Sequence, residues 1–394
     1  MTSPFILSSA QARRLFLERQ GLSLSPRPKL STDGLLNLIK TLGFVQVDSI
    51  NTVARAHHMI LFARNQTYRP AQLAHLLEHD RRLFEHWTHD AAVIPTDFYP
   101  YWQHRFVREQ IALLERWRKW RREGFEDVLA AILEKVSRDG PTMTRDIASK
   151  KQKGAGWWDW HPEKTALEFH WRTGNLAISG RKGFQKVYDV TEKVIPELHR
   201  KDTVSEQAFI DWACRSALDR LGVATSGEIA AFWDLVTSKE ASLWCQDQRD
   251  RHKLIDVQVE SAGGARPSKA LAFNDLPDRL DGLPTPPERV RVLSPFDPLI
   301  RDRKRCLRLF GFDYRIEVFV PQKKRQYGYY VFPLLEGSQF IGRIDMKQEK
   351  GILKVIGLWF EPGIKFGKRR KAALDAELER QRKFIGAIDI AFTL

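Results

Sequence analysis

The chain has 394 residues, of which 43% are hydrophobic and 11% are aromatic. This much apolar material excludes an intrinsically disordered chain, and the length exceeds what one ordinary domain usually holds. Lys and Arg exceed Asp and Glu by 15 charges, which favours a polyanionic partner, with nucleic acid first and an acidic membrane surface second.

The cysteines and the N-terminus narrow the class of protein further. Cys214, Cys245 and Cys306 lie far apart and form no Cys-x-x-Cys pair, which argues against a disulfide framework and against a zinc knuckle. The N-terminus has no long apolar stretch, and no apolar run approaches the ~18 residues that cross a bilayer. These features predict a soluble protein of a reducing cytoplasm, with no membrane contact.

Residues 8–43 have helical character. Ser8 and Ser9 can cap a first helix, a Pro-bearing linker follows at 25–28, and a second amphipathic segment should end at Gly43. Residues 44–50 (FVQVDSI) have β character. In a strand, the side chains of Gln46 and Asp48 would leave on the same face, because strand side chains alternate.

Residues 142–191 have the order of a winged helix-turn-helix. A short helix is predicted from Thr142, a second helix from about Pro162 to Arg172, and then a two-stranded ribbon with a turn at 180–183. Residues 204–276 repeat this order, with helices at 208–220 and 226–237 and ribbon at 254–259, and the first 60 residues fit it as well.

A Pro/Gly-rich linker at 281–287 separates a different C-terminal region. Segments near 314–320, 327–335, 338–346 and 352–360 are predicted strands, and residues 368–384 are a predicted helix. The predicted fold is α+β, with tandem winged helix-turn-helix modules followed by a small β-barrel or antiparallel sheet. Four modules are predicted, namely three winged-helix modules at 1–140, 141–200 and 201–288 and a basic β-domain at 289–394. The first module carries the Gln46 segment and a helical insert.

Basic residues concentrate near the C-terminus, where residues 290–394 hold 22 Lys and Arg against 12 Asp and Glu. The runs lie at 301–305, 323–325 and 368–371, and the middle run adjoins Tyr327, Tyr329 and Tyr330. Cations beside aromatic rings suit phosphate contact with base stacking. A single run of this kind is more typical of a solvated strand edge, but three runs in one region favour a polyanion.

Several catalytic signatures are absent. The chain has no phosphate-binding glycine loop, no His-Glu-x-x-His and no Gly-x-Ser-x-Gly. His86 and His89 could share a helix face, but without further ligands a hydrogen-bonded structural role is expected, and no metal or cofactor is predicted. The Trp157-Trp158-Asp159-Trp160 run could stack on nucleobases or form a packed aromatic cluster.

Four blocks together resemble the YcaQ (AlkX) branch of the AlkZ-type DNA glycosylases, bacterial enzymes that unhook interstrand crosslinks. They are FVQVDSINTVARAHHMILFAR, GWWDWHPEKTALE, LSPFDPLIRDRKR, and RQYGYYVFPLL with GRIDMK. The resemblance implies tandem winged helices followed by a β-barrel. It also implies a Gln-x-Asp catalytic signature, which Gln46-Val47-Asp48 matches. Spacing alone would favour a capping turn at Asp48 and a surface role for Gln46.

The chemistry suits this pair of residues. Alkylation at N7 makes guanine a cationic leaving group, so the enzyme must mainly stabilise an oxocarbenium-like sugar and place a water. Asp48 can stabilise the sugar and act as general base, and Gln46 can hold the water. No lysine lies beside the pair to act as an amine nucleophile, which predicts a monofunctional glycosylase.

The predicted function is therefore a DNA repair glycosylase that releases N7-alkylguanine from crosslinks and monoadducts. The predicted partner is duplex DNA carrying such lesions, and the protein should be a monomer that associates with the nucleoid when bound. The predicted DNA-binding residues are Arg55, His57, Lys304, Lys323, Lys324, Arg325 and Tyr327. The alternative is a winged-helix transcription regulator without catalysis, since winged helices serve both roles. An RNA-binding protein is a weaker hypothesis, because no RNP or KH signature is present.

Overall fold

The computed structural model describes residues 4–120, 124–147 and 161–393. The chain forms two compact units, one of Met1–Arg69 with Cys214–Leu394 and one of Pro70–Ala213. The Trp-rich run at 157–160 and the basic residues that precede it lie outside the described residues. The division into four modules stays a prediction.

The N-terminal part of the first unit is mainly helical. It contains β1 (Phe5–Leu7), α1 (Ser9–Arg19), α2 (Thr32–Leu42), β2 (Val45–Gln46) and α3 (Ala56–Arg64). The Ser8 hydroxyl accepts the Gln11 N–H to cap α1, and Ser31 caps α2 in the same way. Helix α2 ends at Gly43, as predicted, where a φ of 88° reverses the chain.

The second unit contains the clearest winged-helix pattern. Its elements are α4 (Pro70–Ala74), β3 (Leu83–Trp87), β4 (Ala91–Pro95), α5 (Tyr99–Lys119), α6 (Leu129–Asp139), β5 (Thr142–Met143), α7 (Thr144–Ile147), α8 (Pro162–Arg172), β6 (Leu176–Lys182), β7 (Gln185–Val190), α9 (Thr191–Val194) and α10 (Glu197–Lys201). Helix α8 and the ribbon of β6 with β7 are confirmed. The turn of the ribbon lies at Gly183-Phe184 rather than at 180–183, because Gly180 to Lys182 still pair with β7. The helix predicted from Thr142 begins two residues later, because Thr142 and Met143 pair with β7 as an edge strand.

His86 has the hydrogen-bonded structural role that the sequence predicted, but it lies on strand β3 and not on a helix. The ring is 2% exposed, its Nδ1 accepts the Trp102 Nε1–H at 3.1 Å, and its Nε2 lies 2.9 Å from the Trp171 carbonyl oxygen. Since Nδ1 accepts, Nε2 carries the proton and donates. Burial lowers the pKa of His86 well below its usual value and keeps the ring neutral.

The chain then adds a second set of helices followed by a ribbon. These elements are α11 (Glu206–Leu221), α12 (Ser226–Trp233), α13 (Ser238–Asp250), β8 (Leu254–Val259), β9 (Ser268–Phe273) and α14 (Leu276–Asp281). Thr225 and Thr237 form capping boxes with Glu228 and Glu240, which start α12 and α13. The helix predicted at 226–237 is therefore too long, because α12 ends at Trp233 and Thr237 caps the next helix. Strand β1 joins this ribbon by pairing parallel with β8, a partnership that the sequence did not predict.

A five-stranded sheet ends the chain. The elements are β10 (Val290–Val292), α15 (Pro298–Arg301), α16 (Arg303–Phe310), β11 (Val331–Glu336), β12 (Gln339–Glu349), β13 (Ile352–Phe360), α17 (Lys368–Ile385) and β14 (Asp389–Phe392). The sheet order is β10-β11-β12-β13-β14, antiparallel except for the last pair. The α+β fold with winged helices and a C-terminal antiparallel sheet is confirmed. The strand predicted at 314–320 is wrong, because those residues belong to a loop.

Within the described part of the chain, no helix is both long enough and apolar enough to cross a bilayer.

Candidate active site and nucleic-acid interface

Phe44 anchors the segment that carries Gln46 and Asp48. Its ring is 4% exposed and packs against Phe232 and Trp233, with centroids 5.7 and 5.6 Å away. The Arg301 guanidinium lies 4.8 Å from the Phe44 ring centroid and donates to the Phe232 carbonyl oxygen at 2.8 Å. Because the Phe44 ring is packed on several sides, the backbone that leads from it to Gln46 and Asp48 has a fixed starting position.

Asp48 lies in a turn, so the strand predicted over residues 44–50 is too long. Strand β2 ends at Gln46, and the Ile50 N–H donates to Asp48 Oδ1 at 2.7 Å. An aspartate that bonds the N–H two residues ahead forms a turn that replaces strand pairing. Gln46 and Asp48 are half-buried on either side of the buried Val47. The turn, rather than strand alternation, therefore sets the direction of the Asp48 carboxylate.

The residues after Asp48 are fixed to the C-terminal sheet. The Gln348 N–H of β12 donates to the Thr52 carbonyl oxygen at 2.6 Å. Val53 and Met59 belong to the buried core of that sheet, and Ile50 packs against it. The backbone on the C-terminal side of Asp48 therefore has a rigid support.

Tyr330 brings a buried hydroxyl group near Asp48. The tyrosine is fully buried, and this burial is the main cause that raises the pKa of its hydroxyl. Hydrogen bonding with Ser294 lowers that pKa, and the negative charge of Asp48 raises it. The phenol is therefore protonated at neutral pH and can donate a hydrogen bond. The sequence analysis placed Tyr330 among the rings that could stack on bases, and this is wrong, because the ring is buried. Ser294 was not singled out. The burial of Tyr330 could have been predicted from its spacing with Phe332 and Leu334, because alternate residues of an extended segment share one face, and all three belong to one buried cluster.

Two histidines follow at the start of α3, beside the half-buried Arg55 that precedes the helix. His57 is 7% exposed, and its ring centroid lies 4.1 Å from that of His58. His58 Nδ1 lies 2.8 Å from Tyr68 Oη. Burial and then the Arg55 charge lower the pKa of His58 to about 4, so its ring is neutral at pH 7.

A buried ion pair joins α3 to the segment that precedes α15. Arg64 donates from Nη1 and Nη2 to the two carboxylate oxygens of Asp297 at 2.6 and 3.0 Å, and both side chains are fully buried. Asp297 also accepts the Leu299 N–H at 3.0 Å. Removing one partner would leave an uncompensated buried charge, so the pair fixes the position of α3 relative to this segment.

Residues 313–330, named here the basic loop, carry Lys323 and Lys324, which are both exposed. One carboxylate closes the loop, because Glu317 accepts the N–H groups of Gln326, Tyr327 and Gly328 at 2.8, 2.8 and 3.1 Å. These bonds replace the strand pairing that was predicted for residues 314–320.

The other predicted DNA-binding residues differ in exposure. Arg325 donates from Nε to the Val320 carbonyl oxygen at 2.9 Å and is half-buried. The half-buried Tyr327 ring lies 4.2 Å from the Arg343 guanidinium carbon and 5.3 Å from the Trp359 ring centroid. Lys304 is exposed on α16, whereas its neighbour Arg305 is 2% exposed. Arg305 donates to backbone carbonyl oxygens, so part of the 301–305 run is structural.

The basic loop and the Asp48 segment meet in one core. Ile316 and Val318 pack against the same buried cluster as Ile50, and Tyr330 is a member of that cluster. The structure thus brings Asp48, the basic loop and the start of α3 to the same sheet. In residues 4–120, 124–147 and 161–393, no three His, Cys, Asp or Glu side chains are grouped to hold a metal ion.

Comparisons with known proteins agree with this architecture. Residues 39–384 match the model of a family described as DNA glycosylase AlkZ-like. The fold is similar to that of the Streptomyces sahachiroi DNA glycosylase AlkZ, with a TM-score of 0.66 over 98% of this chain and 99% of that chain, at 14% sequence identity. Because the family model spans most of the chain, this protein belongs to the AlkZ-like DNA glycosylase family.

Proposed function

We propose that this DNA glycosylase hydrolyses the N-glycosidic bond of N7-alkylated guanine, both in monoadducts and in interstrand crosslinks, with Gln46 and Asp48 as the catalytic pair. The single observation that carries the proposal is the fixed Asp48 carboxylate, which is held by the Ile50 N–H on a segment bonded to the C-terminal sheet. Family membership favours this function over that of a transcription regulator without catalysis.

Each of the two side chains has a defined part in the reaction. The bond between the sugar C1′ and guanine N9 breaks, and its electron pair neutralises the cationic base as the base leaves. Asp48 stabilises the positive sugar and takes a proton from the attacking water, whose oxygen bonds to C1′. Gln46 holds that water through its amide, which both donates and accepts hydrogen bonds.

The proposed reaction ends at an abasic site. Residues 43–64 contain no lysine, so this segment offers no amine to form a Schiff base with the sugar. We therefore propose a monofunctional enzyme of the YcaQ branch, given that Gln46-Val47-Asp48 matches the signature of that branch. The proposed substrate is duplex DNA, the proposed form is a monomer, and the proposed location is the bacterial cytoplasm.

The test is base release from a duplex carrying one N7-methylguanine and unhooking of a nitrogen-mustard crosslink, each followed on a denaturing gel after alkaline cleavage. Asp48→Asn should lower the rate of base release about 100- to 1,000-fold without weakening DNA binding, because only the anion stabilises the charged sugar. Gln46→Ala should cost less, since solvent can partly replace a positioned water.

The controls separate catalysis from folding and from lesion choice. Asp250→Asn removes the same charge from an exposed helix end and should keep the parent rate. A duplex containing uracil should be left intact, because its base carries no positive charge. Parent-level turnover by Asp48→Asn, or efficient release of uracil, would contradict the proposal.

A further inference from the structure

Phe319 is exposed to water to an unusual degree. With 95% of its surface exposed, it is the most exposed of the large apolar side chains in the described residues. Folding normally buries such rings, because apolar surface in water is unfavourable. Its neighbours Ile316 and Val318 do pack against the C-terminal core. Phe319 therefore projects from a packed segment, with its apolar surface open to a ligand.

The basic loop holds Phe319 in a defined position. On one side, Glu317 accepts three backbone N–H groups of residues 326–328, and its own carbonyl oxygen accepts the Val320 N–H at 3.0 Å. On the other side, the Val320 carbonyl oxygen accepts the Arg325 Nε–H at 2.9 Å. A ring presented by an ordered loop loses little conformational entropy on binding.

The surroundings of Phe319 suit a nucleic acid. Lys323 and Lys324 are exposed in the same loop and carry ammonium groups that can contact phosphates. An apolar side chain beside such cations can enter the stack of bases, as wedge residues do in proteins that kink DNA. The loop also packs on the same C-terminal core as the Asp48 segment, since Val318 and Ile50 both contact that core.

We propose that Phe319 is a wedge that inserts between two stacked bases beside the damaged guanine, while Lys323 and Lys324 hold the adjacent phosphates. This inference rests on the proposed function and extends it from bond cleavage to how the duplex is opened. A wedge can distort the stack without enclosing a base. It is therefore compatible with a guanine that is tethered to the opposite strand.

The test uses a duplex carrying one tetrahydrofuran abasic analogue followed by 2-aminopurine, whose fluorescence rises when the base is unstacked. The parent protein should raise the fluorescence. Phe319→Ala should abolish the rise and weaken binding about 10-fold, which corresponds to about 1.4 kcal/mol and fits the loss of one stacking ring. Phe319→Trp should restore both readouts, since it keeps a flat aromatic ring.

Two comparisons exclude a general surface effect. Ile388→Ala truncates another apolar side chain, 77% exposed in the same unit, and should match the parent in both readouts. Phe319→Ala should also leave the slope of log Kd against log salt unchanged, because a phenyl ring displaces no counterions. Since Phe319 makes few contacts with the rest of the protein, its removal should not lower Tm.

The outcomes separate the wedge from the proposed function. A fluorescence rise and a Kd for Phe319→Ala equal to those of the parent would overturn the wedge, and so would a parent that never raises the fluorescence. A parent that raises the fluorescence yet releases no N7-methylguanine would contradict the proposed function and support the wedge.

Discussion

The environment of Asp48 includes a backbone N–H group and a buried tyrosine. The carboxylate accepts one backbone N–H from Ile50, and the buried hydroxyl of Tyr330 lies near enough for the Asp48 charge to raise the pKa of the phenol. A hydroxyl dipole that is directed at a nearby carboxylate stabilises the charged form of that carboxylate even without a direct hydrogen bond. The charged form is the one that the proposed reaction requires.

Tyr330→Phe should therefore shift the acidic limb of the pH–rate profile of base release to higher pH. Removing the hydroxyl leaves a more apolar surface beside Asp48, so the pKa of the carboxylate should rise and the anion should be lost at higher pH. The measurement is the single-turnover rate of N7-methylguanine release across the acidic range.

Tyr314→Phe provides a matched control for this prediction. Tyr314 is also buried in the first unit, but its hydroxyl donates to the Val331 carbonyl oxygen at 2.7 Å. Its loss should lower stability without moving the profile. Superimposable profiles for Tyr330→Phe and the parent would exclude a role for the Tyr330 hydroxyl at the site.

His58 should make stability depend on pH. Its pKa in the folded protein is lowered from 6.5 to about 4, so the unfolded chain binds the proton first as the pH falls. The stabilisation is fully present above pH ~6.5 and is lost as the pH falls towards ~4, a change of roughly 3 kcal/mol. The measurement is the free energy of unfolding in urea across this interval.

The prediction is tested by how a substitution changes the pH dependence. His58→Asn should reduce the loss of stability on acidification, although the lowered pKa values of His86 and His170 leave a remaining dependence of the same sign. His252→Asn, at an exposed position, is the control. Equal pH dependence for His58→Asn and the parent would show that His58 is not the group responsible.

At the scale of elements, the turn between α2 and β2 determines where the segment that carries Gln46 and Asp48 starts. Gly43 has a φ of 88°, which side chains rarely allow. A Cβ at this position would also lie 2.6 Å from the Trp233 ring and 2.7 Å from Arg220 Nε. Glycine is thus required here both for backbone conformation and for space.

Gly43→Ala should lower the free energy of unfolding by about 2–4 kcal/mol, the sum of a left-handed backbone penalty and overpacking. Base release should fall as well, because Trp233 packs against Phe44 and a shift there would displace Gln46. Urea unfolding and the gel assay measure the two effects.

Gly337→Ala is the matched control for Gly43→Ala. Gly337 also has a positive φ, but no atom lies within 4 Å of the position of a Cβ. Only the smaller backbone penalty is expected there, with no loss of activity. If Gly43→Ala and Gly337→Ala had the same free energy of unfolding, close packing at Gly43 would not be the cause of the lost stability.

At the scale of the whole molecule, the excess of 15 positive charges should make DNA binding strongly dependent on salt. Replacing both Lys323 and Lys324 with alanine should reduce the slope of log Kd against log salt by about 2, since each contacted phosphate contributes about 0.9. Fluorescence anisotropy with an undamaged duplex at several salt concentrations gives the slope.

A second double variant removes the same net charge elsewhere. Lys135 and Lys201 already pair with Asp139 and Glu197, so their replacement by alanine should change the slope less. Equal slopes for the two double variants would mean that overall charge, rather than the basic loop, determines the affinity.

The sequence by itself determined much of the fold. The cap at Ser8, the end of α2 at Gly43, the helices α8 and α17 and the strands β8 and β13 all follow from signals within a few residues. The Gln46-Val47-Asp48 motif was also visible, and its catalytic role stays a proposal. These features depend on local propensity and periodicity, which neighbouring residues set.

Only the tertiary structure decided which of these residues are exposed and which are close together. Lys304 and Arg305 are adjacent and equally basic, yet the first is in solvent and the second is buried against carbonyl oxygens of α11 and of Val223. Likewise, Tyr330 is buried near Asp48 while Phe319 stands in water. The physical reason is that burial and electrostatic environment come from partners distant in the chain, and a local pattern carries no information about those partners.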